Sequence, residues 1–156
     1  MTTAAARPRR AAHRDGALMS STFQIKKLLP GEPPPPEDCE QVGVMRQRTR
    51  ERLSASGLAH MADEAVLVVS EMVTNAIVHS GGQRITVALS RRGNFLRIEV
   101  RDGVPSNHAL PQAPGDADEH GRGLVLVKLI AEEQRGTWGV DDSGATTWCE
   151  LSLAAR

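Results

Sequence analysis

The sequence predicts an α+β protein: a two-layer α/β sandwich whose mixed, mostly antiparallel sheet is covered by helices on one face. Long stretches with apolar residues at helical spacing stand apart from short stretches that alternate apolar and polar residues. Their order is strand, helix, helix, strand, strand, loop, helix, strand, strand. That order joins neighbouring strands by tight turns and leaves the helices to cover one side.

Phe23 to Leu29 is a predicted short edge strand. Pro33 to Pro36 form a stiff polyproline bridge that excludes regular structure, because each ring fixes φ and removes a donor. Pro36-Glu37-Asp38 opens a helix with acidic residues in its first turn, where the helix dipole favours them. This helix runs to about Ala55 and ends near Gly57, and its arginines (Arg46, Arg48, Arg50, Arg52) read as a solvated face. A second helix runs from Met61-Ala62-Asp63 to His79 or Ser80, and Gly81-Gly82 ends it. Ile85, Val87 and Leu89 alternate with Arg84, Thr86 and Ala88; Leu96, Ile98 and Val100 alternate with Arg97, Glu99 and Arg101. Arg92-Gly93-Asn94 joins the two as a hairpin. Gly103 to His120 reads as a long functional or mobile loop. Gly121-Arg122-Gly123 introduces a third helix from Leu124 to about Glu133. Two strands close the chain, near Gln134 to Val140 and from about Ala145 to Leu153, with Asp142-Ser143-Gly144 as their turn. Trp138 and Trp148 read as packing residues.

Composition narrows the function classes. A chain of 156 residues is long enough for one domain with its own core. Residues 1–20, rich in Arg, Ala and Pro, read as a disordered tail, and residues 21–154 as the folded domain. Met19 offers an alternative start, since Met19-Ser20-Ser21-Thr22-Phe23 leads into the first ordered segment. Arg9 and Arg10 are followed by no apolar stretch, which argues against a secretion signal. The 19 basic and 19 acidic residues balance, which argues against direct nucleic-acid binding. Cys39 and Cys149 form no metal-ligand cluster and fit a reducing, cytoplasmic setting. No apolar run is long enough to cross a bilayer, so no membrane partner is expected.

The chemistry concentrates on the second helix. Glu71, Asn75 and His79 lie four residues apart and stack on one helical face. Beside them Ala65, Val68, Val69, Met72, Val73, Ala76 and Ile77 form a broad apolar arc, so the polar residues, with Glu64, occupy a narrow slot. Burying an unpaired carboxylate or carboxamide costs about 1–3 kcal/mol, and a metal-bound ligand would account for the slot. Asn75 offers a neutral oxygen to Mg²⁺, whose octahedron phosphate oxygens and water would complete. Glu71, one turn earlier, would orient or deprotonate a nucleophile. Asp102, at a strand end, would accept a hydrogen bond from an exocyclic amine such as that of adenine. Backbone N–H groups at Gly121-Arg122-Gly123 would suit phosphate oxygens at a helix start.

These segments resemble a known family. VSEMVTNAIVHSG resembles the N box of the GHKL ATPases, the superfamily with the Bergerat (HATPase_c) nucleotide fold. VRDGVP resembles its first glycine box, GRGLVLV its second, and GATTWCEL its closing strand. The match runs from about Phe23 to Leu153 and is strongest to the small stand-alone anti-sigma factor serine kinases of the RsbW and SpoIIAB type found in actinobacteria. The resemblance implies ATP and Mg²⁺ as cofactors. It implies Asn75 as the magnesium ligand, Glu71 as the general base, Asp102 and Gly103 at the adenine, and Gly121, Arg122, Gly123 and Leu124 as the phosphate-binding lid hinge. His79 would touch the nucleotide, and Thr146 would lie near the adenine. Alternation, however, turns Thr147 inward with Cys149 and Leu151, unless a bulge reverses the strand. VRDGVP also lacks the second glycine of many relatives.

The implied function is an ATP-dependent kinase that holds a sigma factor and phosphorylates a STAS-type antagonist of the anti-sigma factor; a homodimer is expected. The alternative is an ATP-binding regulatory module that binds a partner without phosphotransfer. A detached histidine-kinase domain would need a preceding helix pair bearing a phosphoacceptor histidine. A mismatch-repair or gyrase-type ATPase would need further domains.

Overall fold

Alternating apolar residues build the sheet. The computed structural model describes residues 15–79, 81–105 and 119–154, with the backbone alone at 119–122. Five strands, β1 (Gly16–Gln24), β2 (Arg84–Arg92), β3 (Phe95–Arg101), β4 (Thr137–Val140) and β5 (Thr146–Ser152), form one sheet in the order β1-β2-β3-β5-β4. Every neighbouring pair is antiparallel, so the sheet is uniformly antiparallel rather than mixed. Ile85, Val87, Leu89, Leu96, Ile98, Cys149 and Leu151 are wholly buried on one face. Full burial of such aliphatic side chains is worth about 1.5–3 kcal/mol each.

Three helices cover that face: α1 (Pro36–Ala55), α2 (Ala62–His79) and α3 (Glu119–Glu133). In α1, Pro36 occupies the first turn with Glu37 and Asp38. Asp38 is buried, and its Oδ2 accepts from the Lys26 backbone N–H at 2.9 Å, which ties the helix start to the chain leaving β1. At the other end Leu58 N donates to Leu53 O at 2.8 Å and Gly57 N to Ser54 O at 3.3 Å, with Gly57 at φ +73°. This double closure satisfies the last carbonyls of α1. The four arginines of α1 are exposed, as expected; Arg50 pairs with Asp63 at 3.0 Å and Arg48 reaches the Ser21 hydroxyl at 3.0 Å. A single 3₁₀ turn, Ala59–Met61, leads into α2, the central helix, which packs on α1, α3, β2 and β3.

Three boundaries differ from the expectation. β1 begins at Gly16, not Phe23, and ends at Gln24; Gly16 to Ser20 therefore belong to the sheet rather than to a tail of residues 1–20. Pairing with β2 and burial of Met19 hold a segment whose own alternation is weak, with a register shift between Ala17 and Met19. β4 begins at Thr137 rather than Gln134. Residues 134–136 finish α3 instead: Gly136 N donates to Ala131 O at 2.8 Å, with Arg135 at φ +53°, and Gln134 O accepts from Ser152 N at 3.0 Å. The third is the start of α3, at Glu119 rather than Leu124. The remainder of the expected tail, residues 1–14, and most of the expected loop, residues 106–118, lie outside the described residues.

The opposite face of the sheet is open and polar. Arg97 bonds Glu99 at 2.7 Å and Glu150 at 2.9 Å, and its guanidinium carbon lies 4.5 Å from the ring centre of Trp148. Burial works against the Arg97 charge, but the hydrogen bonds it donates to Glu99 and Glu150 outweigh that and hold its pKa above the usual value. Trp148 in turn lies against Gly139, where an added Cβ would sit 2.8 Å from the indole. Trp138 packs against the core on the helix-covered face, so both tryptophans are packing residues, on opposite faces.

Candidate functional site

α2 carries the slot that its sequence predicts. Ala65, Val68, Val69, Met72, Val73, Ala76 and Ile77 are buried. Glu64, Glu71, Asn75 and His79 are each half-buried, forming a polar edge beside the apolar arc. His79 is the last residue of the helix, where a basic side chain complements the negative end of the dipole.

Glu71 is met by α3. A Cβ on Gly123 would lie 3.1 Å from Glu71 Oε2 and 4.0 Å from the Glu71 carbonyl oxygen. The second glycine motif therefore abuts the carboxylate of α2, and this contact between two predicted site residues is legible in neither segment alone. The glycines do not precede α3, as expected, but lie inside its first turns, because the helix begins at Glu119. The penalty of a glycine in a helix, about 1 kcal/mol relative to alanine, is too small to stop the helix there. The open N–H groups of α3 consequently shift back towards Glu119. Leu124 is buried under the helix rather than exposed to a ligand. The Arg122 side chain lies outside the described residues.

The third component sits where β3 ends. The Asp102 backbone N–H donates to Ala145 O at 3.0 Å, which holds the end of β3 beside the start of β5. Asp102 Oδ1 accepts from the Val104 N–H at 2.9 Å, closing a tight side-chain turn. Gly103 lies inside that turn at φ +72°, a left-handed conformation that calls for glycine.

Thr146 requires a correction. β5 runs without a bulge opposite β3, pairing Arg101 with Thr146 and Val100 with Thr147. Thr146 thus shares the face of Arg101, away from the helices, and its Oγ1 accepts from Arg101 Nε at 3.3 Å. Thr147, half-buried, shares the helix-covered face with buried Val100, whereas Thr146 is buried on the other face. Strict alternation along the strand fixes these two faces.

The donor set fits a magnesium nucleotide. Among the described residues no group of three or more His, Cys, Asp or Glu side chains could hold a metal. An ion at Asn75 would therefore take most of its oxygens from phosphate and water, the usual arrangement for Mg²⁺. Asp102 would offer a carboxylate oxygen to an amine, and the start of α3 would offer N–H groups and the positive end of a dipole to an anion.

Residues 36–148 match the profile of the histidine kinase-like ATPase domain, a stretch that covers more than half of the chain and every part of this site. The chain belongs to that family. It is a GHKL-type ATP-binding module, and domains of the histidine kinase-like ATPase family bind ATP, usually with Mg²⁺. The uniform antiparallel sheet with three helices agrees with the GHKL fold. No curated protein is significantly similar to the chain. Among the described residues no helix is long and apolar enough to cross a membrane.

Proposed function

We propose that this histidine kinase-like ATPase domain is an ATP-dependent protein serine kinase that doubles as an anti-sigma factor. It holds a sigma factor, alone or as a homodimer, and phosphorylates a STAS-type antagonist to control release. The observation that carries the kinase part is Glu71: its carboxylate is half-buried, one turn before Asn75, and set against Gly123. A module that only bound nucleotide would need Asn75 and Asp102 but would have no use for a carboxylate there. The partners rest on the resemblance of the N box and glycine boxes to the RsbW and SpoIIAB type.

Bound Mg-ATP supplies the phosphoryl group and the charge that neutralises it. Asn75 would hold the ion through its amide oxygen, Asp102 would accept from the adenine amine, and the N–H groups that open α3 would bind phosphate. Glu71 would take the proton from the antagonist's serine hydroxyl as its oxygen bonds the γ-phosphorus, the bond to the β-phosphate breaks and ADP leaves. The test is incubation with [γ-³²P]ATP, Mg²⁺ and a cognate antagonist. Phosphoserine on the antagonist is expected, and Glu71→Ala should abolish it. A protein stabilised by ATP that forms no phosphoserine would instead be a regulatory module.

A further inference from the structure

The second glycine motif contains a residue whose glycine identity is not explained by its backbone. Gly103 and five other glycines among the described residues have positive φ; Gly123 does not. Any L-residue could adopt its conformation, and alanine would suit a helix better. What it offers instead is space. The nearest atom to an added Cβ is Glu71 Oε2 at 3.1 Å, tighter than ordinary contact, and the next is the backbone of the same residue at 4.0 Å.

We propose that Gly123 is a positioning residue, whose missing side chain forms the seat that holds the Glu71 carboxylate in its working place. The inference rests on the kinase reading for its catalytic consequence, and on the α2–α3 contact for its physical basis. A methyl at 123 displaces the carboxylate by a few tenths of an ångström or forces another rotamer. It leaves the backbone unstrained. Activity and stability should therefore separate, which a packing role would not produce: Gly123→Ala folds at least as well as the parent but transfers phosphate poorly. A glycine needed only for close approach to phosphate would show a different split, with ATP affinity falling in step with rate.

The experiment is a double-mutant cycle on the full chain with Gly123→Ala, Glu71→Asp and both together. Aspartate is one methylene shorter and withdraws the carboxylate from the methyl. For Gly123→Ala we expect phosphotransfer to fall about ten- to a hundredfold, the scale of misplacing a reacting group, with the ATP Kd within about twofold of the parent. The double variant should be no slower than Glu71→Asp alone. Thermal unfolding without nucleotide should show the same coupling. Alanine should raise Tm by about 2–4 °C in the Glu71→Asp background and by less in the parent. Multiplying rate losses, a parallel loss of ATP affinity, or an equal Tm gain in both backgrounds overturns the proposal. Should the parent transfer no phosphate, the kinase reading alone fails, and the Tm cycle still decides the seat.

Discussion

Asp102 allows the nucleotide reading to be tested at a single atom. Its Oδ1 closes the turn by accepting from the Val104 N–H at 2.9 Å. A carboxylate has further acceptor positions for an adenine amine. Asn at this position keeps an oxygen for Val104 and presents an NH₂ group elsewhere, so donor would face donor. A hydrogen bond to a charged acceptor contributes about 1.5–3 kcal/mol. Asp102→Asn should therefore raise the ATP Kd about 10- to 150-fold. Because the turn persists, Tm without ligand should change little. Asp102→Ala removes both interactions: the ATP Kd rises similarly, and loss of the turn bond, about 1 kcal/mol, lowers Tm by about 2–4 °C. Isothermal titration of each variant with ATP and Mg²⁺, beside thermal unfolding, separates the two effects. Asp102→Asn binding ATP as tightly as the parent would refute the adenine assignment.

Three further outcomes are expected. Thr147→Val should weaken ATP binding about fivefold in the same titration, the scale of one neutral hydrogen bond, whereas Thr146→Val, on the other face, should leave it unchanged. Gly103→Ala should destabilise by roughly 1–2 kcal/mol in denaturant melts, because φ +72° is strained for a residue with a Cβ. Burial, with Glu150 adding to it, pushes the Cys149 thiol up to about 12 from 9.0. The folded state then holds a proton that the unfolded chain releases, so this contribution to stability is complete below pH 9 and is lost as pH rises from 9 towards 12. Thiol titration of the native protein at pH 8 should accordingly find Cys39, which is exposed, and not Cys149.

The parts of the fold that were legible are those where local chemistry and tertiary packing agree. α1 has proline and acids at its start and Gly57 at its end, and α2 has a continuous apolar arc, so both helices run close to their expected spans. The β2–β3 hairpin has strict alternation on both strands. β1 is hard to read because Gly16 to Ser21 sets adjacent Leu18 and Met19 among small residues, which breaks the alternation, and its strand state comes from pairing with β2. β4 is shorter than its sequence suggests because Gln134 to Gly136 close α3, with Arg135 rather than a glycine taking the positive φ that ends the helix. The site divides in the same way. The grouping of Glu71 with Asn75 follows from helical spacing, and the inward side of Thr147 from strand alternation. The contact of Gly123 with Glu71 joins residues more than fifty positions apart, and no spacing rule reaches across that distance.

The placement of the two tryptophans has a practical consequence. The chain contains no tyrosine and only these two indoles, so its near-ultraviolet emission comes from Trp138 and Trp148. Trp138 is registered with Cys149 on the covered side of the sheet, and Trp148 with Gly139 beneath the Arg97 guanidinium on the open side. Each side of one sheet thus has its own built-in fluorophore. A Trp148→Phe protein would glow only from within the packed layer, and a Trp138→Phe protein only from the open surface. Comparing the two under acrylamide quenching would tell whether a bound molecule settles on the open face or leaves it bathed in solvent.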